Sequence, residues 1–234
     1  MGLRIKIFAD GANLEEMLQA HGSGLVKGFT TNPTLMRKAG VTDYERFARS
    51  VLREIQDMPI SFEVFSDDIE EMARQARTIA AWGKNVYVKI PVTNTQGQST
   101  ASIVRELSRE GIRLNITALL TLDQVHDVCD ALDERTPAIV SLFAGRVADT
   151  GRDPVPMMRE GVQILRARPL AELLWASPRE ILNLIQADET GCHIITMTSD
   201  LLNKMSLLGT ELEVLSLQTV KMFHDDAAAS RYRL

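Results

Sequence analysis

Asn85-Val86-Tyr87-Val88-Lys89-Ile90-Pro91 reads as a buried strand with a lysine near its C-terminal end, stopped by a proline. Side chains alternate along a strand with period two. Val86, Val88 and Ile90 therefore share one side, and Tyr87 and Lys89 share the other. Lys89 points away from the aliphatic side, either to solvent or into the mouth of a site. A lone lysine at a strand end is ordinarily solvated. The rest of the chain has to decide between the two.

Seven further runs read as strands: Ile5–Asp10, Gly28–Asn32, Ile60–Phe65, Arg113–Ala118, Ala138–Gly145, Glu172–Ser177 and Cys192–Thr198. The segments between them carry helical periodicity. Asp68–Trp82 spaces Ile69, Met72, Ala73, Ala76, Ile79 and Ala80 on one face, and Ser99–Glu110 does so with Ile103, Val104 and Leu107 before Gly111 at the C-cap. Thr121–Leu132 opens on a capping threonine, Pro178–Gln186 on a first-turn proline, and Pro156–Arg166 and Ser199–Leu208 follow the same pattern. A last amphipathic segment, Thr210–Phe223, follows the eighth unit, and the helix is expected over about 210–226.

Eight alternations of strand and helix mean a parallel sheet of the α/β class, either open and doubly wound or closed into a (β/α)8 TIM barrel. Parity separates the two. One side of the runs is aliphatic: Ile5, Ile7, Ala9, Phe62, Val64, Leu114, Ile116, Val140, Leu142, Leu174, Ala176, Ile195 and Met197. The other side carries Lys6, Phe8, Asp10, Thr30, Asn32, Ser61, Glu63, Asn115, Thr117, Ser141, Phe143, Trp175, Ser177, Thr196 and Thr198, and it turns polar toward the C-terminal ends. An open sheet covered by helices on both faces would be apolar on both. A barrel whose interior opens into a polar site at its top fits better, with an extra C-terminal helix.

The bulk composition agrees with one barrel domain over 1–234. The chain has 234 residues, 45% of them hydrophobic, and a net charge of −5. It shows no basic tract for nucleic acid or a membrane surface, and no apolar run of the roughly 18 residues a span needs. Two cysteines, Cys129 and Cys192, form no framework or metal pattern. The N-terminal stretch to Asp10 is unlike a signal peptide, so a cytoplasmic location is expected.

Asp10, Asn32, Glu63, Lys89, Asn115, Thr117 and Ser141 converge from six strands on one cavity. Singly, each has an ordinary explanation: Asp10 before Gly11 as a turn residue, Asn32 before Pro33 as a helix start, Thr117 as a cap. Shared parity and a shared strand end set them apart. Metal ligands and a dinucleotide-binding glycine motif are not expected, and neither is a cofactor. Phe143 and Trp175 read as core or pocket-wall aromatics. A lysine in a low-dielectric barrel can deprotonate, attack a ketone and form a Schiff base, an electron sink for making or breaking a carbon–carbon bond. Asp10 and Glu63 are suited to move the protons, and the amides and hydroxyls to hold a polyol.

At these residues the chain resembles the transaldolase family, including its short members and the fructose-6-phosphate aldolases. The resemblance runs from Phe8-Ala9-Asp10 to about Met205. It rests on Thr30-Thr31-Asn32-Pro33-Thr34, Val88-Lys89-Ile90-Pro91, Gly111-Ile112-Arg113-Leu114-Asn115-Ile116-Thr117 and Ser141-Leu142-Phe143-Ala144-Gly145-Arg146. It implies that Lys89 forms the Schiff base, that Asp10 is the acid/base at the donor's C4 hydroxyl, and that Glu63 works through a water and Thr117. Asn32, Asn115 and Ser141 would hold hydroxyls. Arg146 would bind the substrate phosphate, helped by Ser177 and by Arg179, which is expected to start a helix and so add backbone N–H groups.

Glu63 and Phe143 stand where the similar fructose-6-phosphate aldolases carry glutamine and tyrosine, which favours transfer over release of dihydroxyacetone. The alternatives are such a lyase, or a barrel that only binds sugar phosphates. Val92–Ser99 is longer and more polar than the family's usual turn after the lysine strand, Ala118-Leu119-Leu120-Thr121 replaces aromatic and serine residues, and Thr198-Ser199 stands where prolines are common. These three stretches are expected at the rim of the site. The resemblance also implies a homo-oligomer, a ring of five or its double, built with the C-terminal segment.

Overall fold

Lys89 lies in the fourth of eight parallel strands that close into a barrel in chain order. The strands are β1 (Lys6–Asp10), β2 (Gly28–Thr30), β3 (Ile60–Glu63), β4 (Val86–Pro91), β5 (Leu114–Leu119), β6 (Ala138–Leu142), β7 (Ala171–Trp175) and β8 (Ile194–Thr198). Closure is complete: β8 pairs with β1 from Lys6 opposite Ile194 to Asp10 opposite Thr198. This is a computed structural model, and it describes residues 2–230.

Each strand is followed by helix. After β1 comes α1 (Leu14–Gly22), after β2 come α2 (Pro33–Lys38) and α3 (Tyr44–Glu54), and after β3 comes α4 (Ile69–Ala80). Then follow α5 (Ala101–Arg109), α6 (Leu122–Ala131), the short α7 (Ala144–Ala148) with α8 (Val155–Leu165), α9 (Leu182–Glu189) and α10 (Ser199–Asn203). Side-chain caps fix several starts: Asn13, Asn32, Asp43 and Asp68 each accept backbone N–H groups of the first turn, and Thr121 with Gln124 makes a capping box.

The chain divides into two compact units between Leu202 and Asn203. The second contains a 3-10 turn, Lys204–Leu207, and α11 (Leu212–Ser230), which runs past the expected 210–226 segment. None of the side chains of α11 is buried, and Leu212, Leu217 and Phe223 are well exposed.

Inside the barrel, Phe8, Ile139, Leu174, Ala176 and Ile194 form an apolar layer, with Tyr87 and Phe143 packed against it. Gly28 is required here, because a Cβ on it would sit 2.5 Å from the Phe8 ring. The layer corrects one parity assignment. Leu174 and Ala176 face the barrel interior, and Trp175 is buried outside the cavity lining. The strand reads Leu173-Leu174-Trp175-Ala176, apolar at both parities, so alternation alone gave it no direction.

Several run ends also shift. β6 stops at Leu142, so Phe143 precedes α7 instead of lying in a strand. α9 begins at Leu182, not at Pro178. β5 and β6 change register between Ile116 and Leu119, and Ala118 there has φ +64°. That left-handed residue breaks the alternation, so Thr117 and Ala118 both reach the cavity.

Candidate active site

The C-terminal end of the barrel holds a cavity of about 570 Å³. Lys89 is at its floor with 6% of its surface exposed. Its Nζ donates to the Thr31 carbonyl at 2.9 Å and lies 3.1 Å from Glu63 Oε2. The pair follows from register, since Glu63 and Lys89 are direct partners across β3 and β4. Lys89 thus points inward, as Tyr87 does, and the amine is held between a carboxylate and a peptide oxygen.

Asp10, at the end of β1, lines the same cavity. Burial pushes its carboxyl above the ordinary value, against the pull of the nearby Lys89 charge and of a hydrogen bond from Thr30. Thr30 Oγ1 donates to Asp10 Oδ1 at 2.8 Å and also contacts Thr196 Oγ1. Thr30 and Thr196 both line the cavity. A carboxyl raised this way can take and return a proton nearer neutral pH than a solvated aspartate can.

Thr117 Oγ1 is buried, faces the cavity and has no hydrogen-bond partner among the described residues. Ser141 lines the wall and donates its hydroxyl to Asn115 Oδ1 at 2.7 Å, while Asn115 Nδ2 donates to Ser61 Oγ at 3.0 Å. Asn115 is fully buried and does not line the cavity. Where a direct contact to substrate was expected, the amide instead braces Ser141 from beneath. Asn32 lines the cavity and caps α2, its Oδ1 accepting the Leu35 N–H at 3.0 Å.

At the rim, Phe143 and Arg146 line the cavity together, the guanidinium 5.9 Å from the ring centroid. Ser177 reaches the wall from a left-handed backbone, φ +61°. Gly145 makes room for that turn: a Cβ on it would fall 1.5 Å from the Ser177 carbonyl oxygen. Arg179 also lines the cavity, and Asp149 grips its guanidinium with both carboxylate oxygens. Its place at a helix start is not found. α9 begins three residues later, and the N–H groups of Arg179 and Glu180 are taken by Asn183 Oδ1. The helix therefore adds no open N–H cluster there.

Among the described residues, no three His, Cys, Asp or Glu side chains come together to hold a metal ion. Nor is any described helix long and apolar enough to cross a membrane.

A family model described as transaldolase/fructose-6-phosphate aldolase matches residues 7–232. The chain belongs to the transaldolase/fructose-6-phosphate aldolase family. It is 36% identical over 202 residues to a probable transaldolase of Dehalococcoides mccartyi, covering 86% of this chain and 90% of that one. It is 38% identical over 194 residues to a probable transaldolase of Roseiflexus sp. (strain RS-1), covering 82% and 85%. Among solved structures it is similar to 3-keto-L-gulonate-6-phosphate decarboxylase from Vibrio cholerae, with TM-score 0.57 and 12% identity over 85% of this chain and 89% of that one. It is also similar to a putative phosphonomutase from Burkholderia cenocepacia, with TM-score 0.58 and 12% identity over 93% and 94%. At such identity these two show the barrel alone.

In and around this family member's cavity, sequence reasoning missed three kinds of residue. Thr30 and Thr196 had the right parity, but nothing singled out a hydroxyl that bonds an acid. Lys38, at the end of α2, lines the wall and comes from a helix, where strand parity gives no signal. Tyr44, the first residue of α3, bonds the main chain of Glu63 from outside the cavity. Conversely, none of Val92–Ser99 lines the cavity. That loop folds on itself through Asn94, whose Oδ1 accepts the Gln96 and Gln98 N–H groups, and Thr95 ties it to Asp67. Of the other two stretches expected at the rim, Ala118 and Thr198 line the cavity, and Leu119, Leu120, Thr121 and Ser199 do not.

Proposed function

We propose that the protein is a transaldolase that moves a dihydroxyacetone unit from a ketose phosphate to an aldose phosphate through a Schiff base on Lys89. The observation that carries the reading is the buried Lys89 amine at the cavity floor, 3.1 Å from Glu63, with the raised carboxyl of Asp10 in the same cavity. Family membership supports it.

The Lys89 amine adds to the C2 carbonyl of the ketose. Glu63, with Thr117 Oγ1 and a water, moves the protons that let hydroxide leave as water and give the iminium. Asp10 takes the proton of the C4 hydroxyl, the C3–C4 bond breaks, and its electron pair enters the iminium to give an enamine. The shortened aldose leaves. The enamine then attacks an acceptor aldehyde, Asp10 returns the proton, and water releases the new ketose. Asn32 and Ser141 face the substrate hydroxyls, with Asn115 holding Ser141 in place. Arg146 pairs with no carboxylate among the described residues and takes the phosphate, with Ser177 and Arg179 beside it. Arg179 contributes what Asp149 leaves it.

Phe143 favours transfer over lysis. A phenyl ring cannot hand a proton to the enamine, so the enamine waits for an aldehyde. Fructose 6-phosphate or sedoheptulose 7-phosphate would serve as donor, and erythrose 4-phosphate or glyceraldehyde 3-phosphate as acceptor. A cytoplasmic location and assembly of several copies go with this reading. The test is product analysis with fructose 6-phosphate, with and without erythrose 4-phosphate. Acceptor-dependent sedoheptulose 7-phosphate supports transferase; equal free dihydroxyacetone in both arms would make the protein a lyase instead.

A further inference from the structure

The β2–β3 ladder ends at a revealing place. Phe29 N–H donates to the Pro59 carbonyl and Thr31 N–H to the Ser61 carbonyl. Phe29 is registered with Ile60 and Thr30 with Ser61. Continued by two residues, this register would send the Glu63 N–H to the Thr31 carbonyl and the N–H of residue 33 to the Glu63 carbonyl. Neither bond is made: the Glu63 N–H and carbonyl both turn to another partner. Residue 33 is Pro33, which has no N–H, and the Thr31 carbonyl accepts from Lys89 Nζ.

Both orphaned groups of Glu63 go to one side chain. Tyr44 Oη donates to the Glu63 carbonyl at 2.9 Å and accepts from the Glu63 N–H at 2.7 Å. A phenol has the one donor and the acceptor lone pair needed to imitate a strand's paired groups. Its ring is locked by edge contacts to Phe62 and Phe65, with centroids 6.3 and 5.7 Å away, and by Trp82 at 5.6 Å. Burial drives the Tyr44 phenol well above its ordinary value, so it keeps the proton it donates.

We propose that Tyr44 is a positioning residue: its hydroxyl replaces the missing strand at Glu63 and so leaves the Thr31 carbonyl to hold the Lys89 amine. This rests on the reading of Lys89 as the Schiff-base lysine. Without the hydroxyl, the Glu63 N–H has the Thr31 carbonyl as its acceptor in register, and an oxygen shared with that N–H holds the Lys89 amine less firmly. Glu63 and Lys89, paired across the strands, would both lose their setting, although Tyr44 does not line the cavity.

The experiment compares wild type, Tyr44→Phe and Phe65→Ala. Phe65→Ala disturbs the same aromatic cluster without removing the hydroxyl, and circular dichroism checks that each variant is folded. Two readouts are taken: steady-state transfer kinetics, and the rate of Lys89 modification by dihydroxyacetone with cyanoborohydride at one fixed pH. For Tyr44→Phe, kcat should fall by roughly tenfold, the loss expected for one or two hydrogen bonds, with KM within about twofold. The trapping rate should fall by a similar factor, because Lys89 and Glu63 lose their setting. Phe65→Ala should keep the wild-type trapping rate. A Tyr44→Phe protein with wild-type kcat, or with reduced kcat and an unchanged trapping rate, overturns the proposal, as does a Phe65→Ala protein that reproduces both changes. A wild type that dihydroxyacetone does not trap at Lys89 overturns the Schiff-base reading, and this inference with it.

Discussion

Asp10 is a carboxyl that the barrel buries beside a lysine, and burial outweighs the lysine. The consequence for stability has a definite sign. Below the ordinary carboxylate value, about pH 4, Asp10 is protonated in both folded and unfolded chains. As pH rises past that value the unfolded chain releases its proton while the folded chain resists, so the folded state loses stability until Asp10 itself ionises. Asp10→Asn should therefore melt higher than wild type near pH 7, with the margin shrinking toward about pH 4. It should also lose roughly a hundredfold or more in kcat, as expected for removing an acid/base. Calorimetry across pH and steady-state kinetics check both halves; a variant that melts lower at neutral pH contradicts the burial argument. At Phe143 the prediction concerns partition. Phe143→Tyr places a phenol at the cavity wall and should raise acceptor-independent release of dihydroxyacetone several-fold, read by product analysis without an aldose. Unchanged release removes Phe143 from the choice between transfer and lysis. Both residues were legible in the sequence because each stands at an inward parity near a strand's C-terminal end. Thr30, which tunes Asp10, was visible only as an inward hydroxyl, since a hydrogen bond between neighbouring strands depends on a register that spacing does not reveal.

Among the elements, the segments after β6 and β7 meet closely at the site. Gly145, the second residue of α7, lies against the left-handed turn at Ser177, and the space for a methyl group there is occupied by a carbonyl oxygen. Gly145→Ala must push the two loops apart. It should destabilise the fold by about 1–3 kcal/mol or more, the range for overpacking, and raise KM for phosphorylated donors, because Arg146, Ser177 and Arg179 ride on those loops. Thermal melts and kinetics with fructose and fructose 6-phosphate test this; an equal rise in KM for both sugars would detach the loops from phosphate binding. Element by element, strands were readable wherever one face was apolar and the other polar, as in β3 and β4. β7 failed that condition with Leu173, Leu174, Trp175 and Ala176 in a row, and tertiary packing against Phe8 chose its face. The start of α9 also escaped, because Pro178 suits a first turn, yet the Asn183 side chain gathers the Arg179 and Glu180 N–H groups into a turn ahead of the helix.

For the whole molecule, eight alternations and the polar strand ends were enough to predict the closed barrel, since few architectures bury one face of every strand and open the other to a site. What α11 packs against was not readable: the expected single apolar stripe is not found, its exposed apolar residues lie around the helix, and they say that it wants a partner and not which one. Leu212, Val214, Leu217, Val220, Met222 and Phe223 are all exposed on it, an apolar surface that an isolated chain would rarely keep. The expected assembly of several copies through this helix predicts a mass well above 26.0 kDa by light scattering, lowered by Leu217→Asp with Phe223→Asp. Equal masses for wild type and the double variant would take α11 out of the assembly. The central claim, that Lys89 is the nucleophile of a class I aldolase-type enzyme, is tested most directly by borohydride reduction in the presence of fructose 6-phosphate, followed by intact mass and peptide mapping. The account predicts one reduced dihydroxyacetone adduct, on Lys89, absent from Lys89→Met. An unmodified wild-type chain, under conditions that trap another member of the family, or an adduct that persists in Lys89→Met, would contradict it.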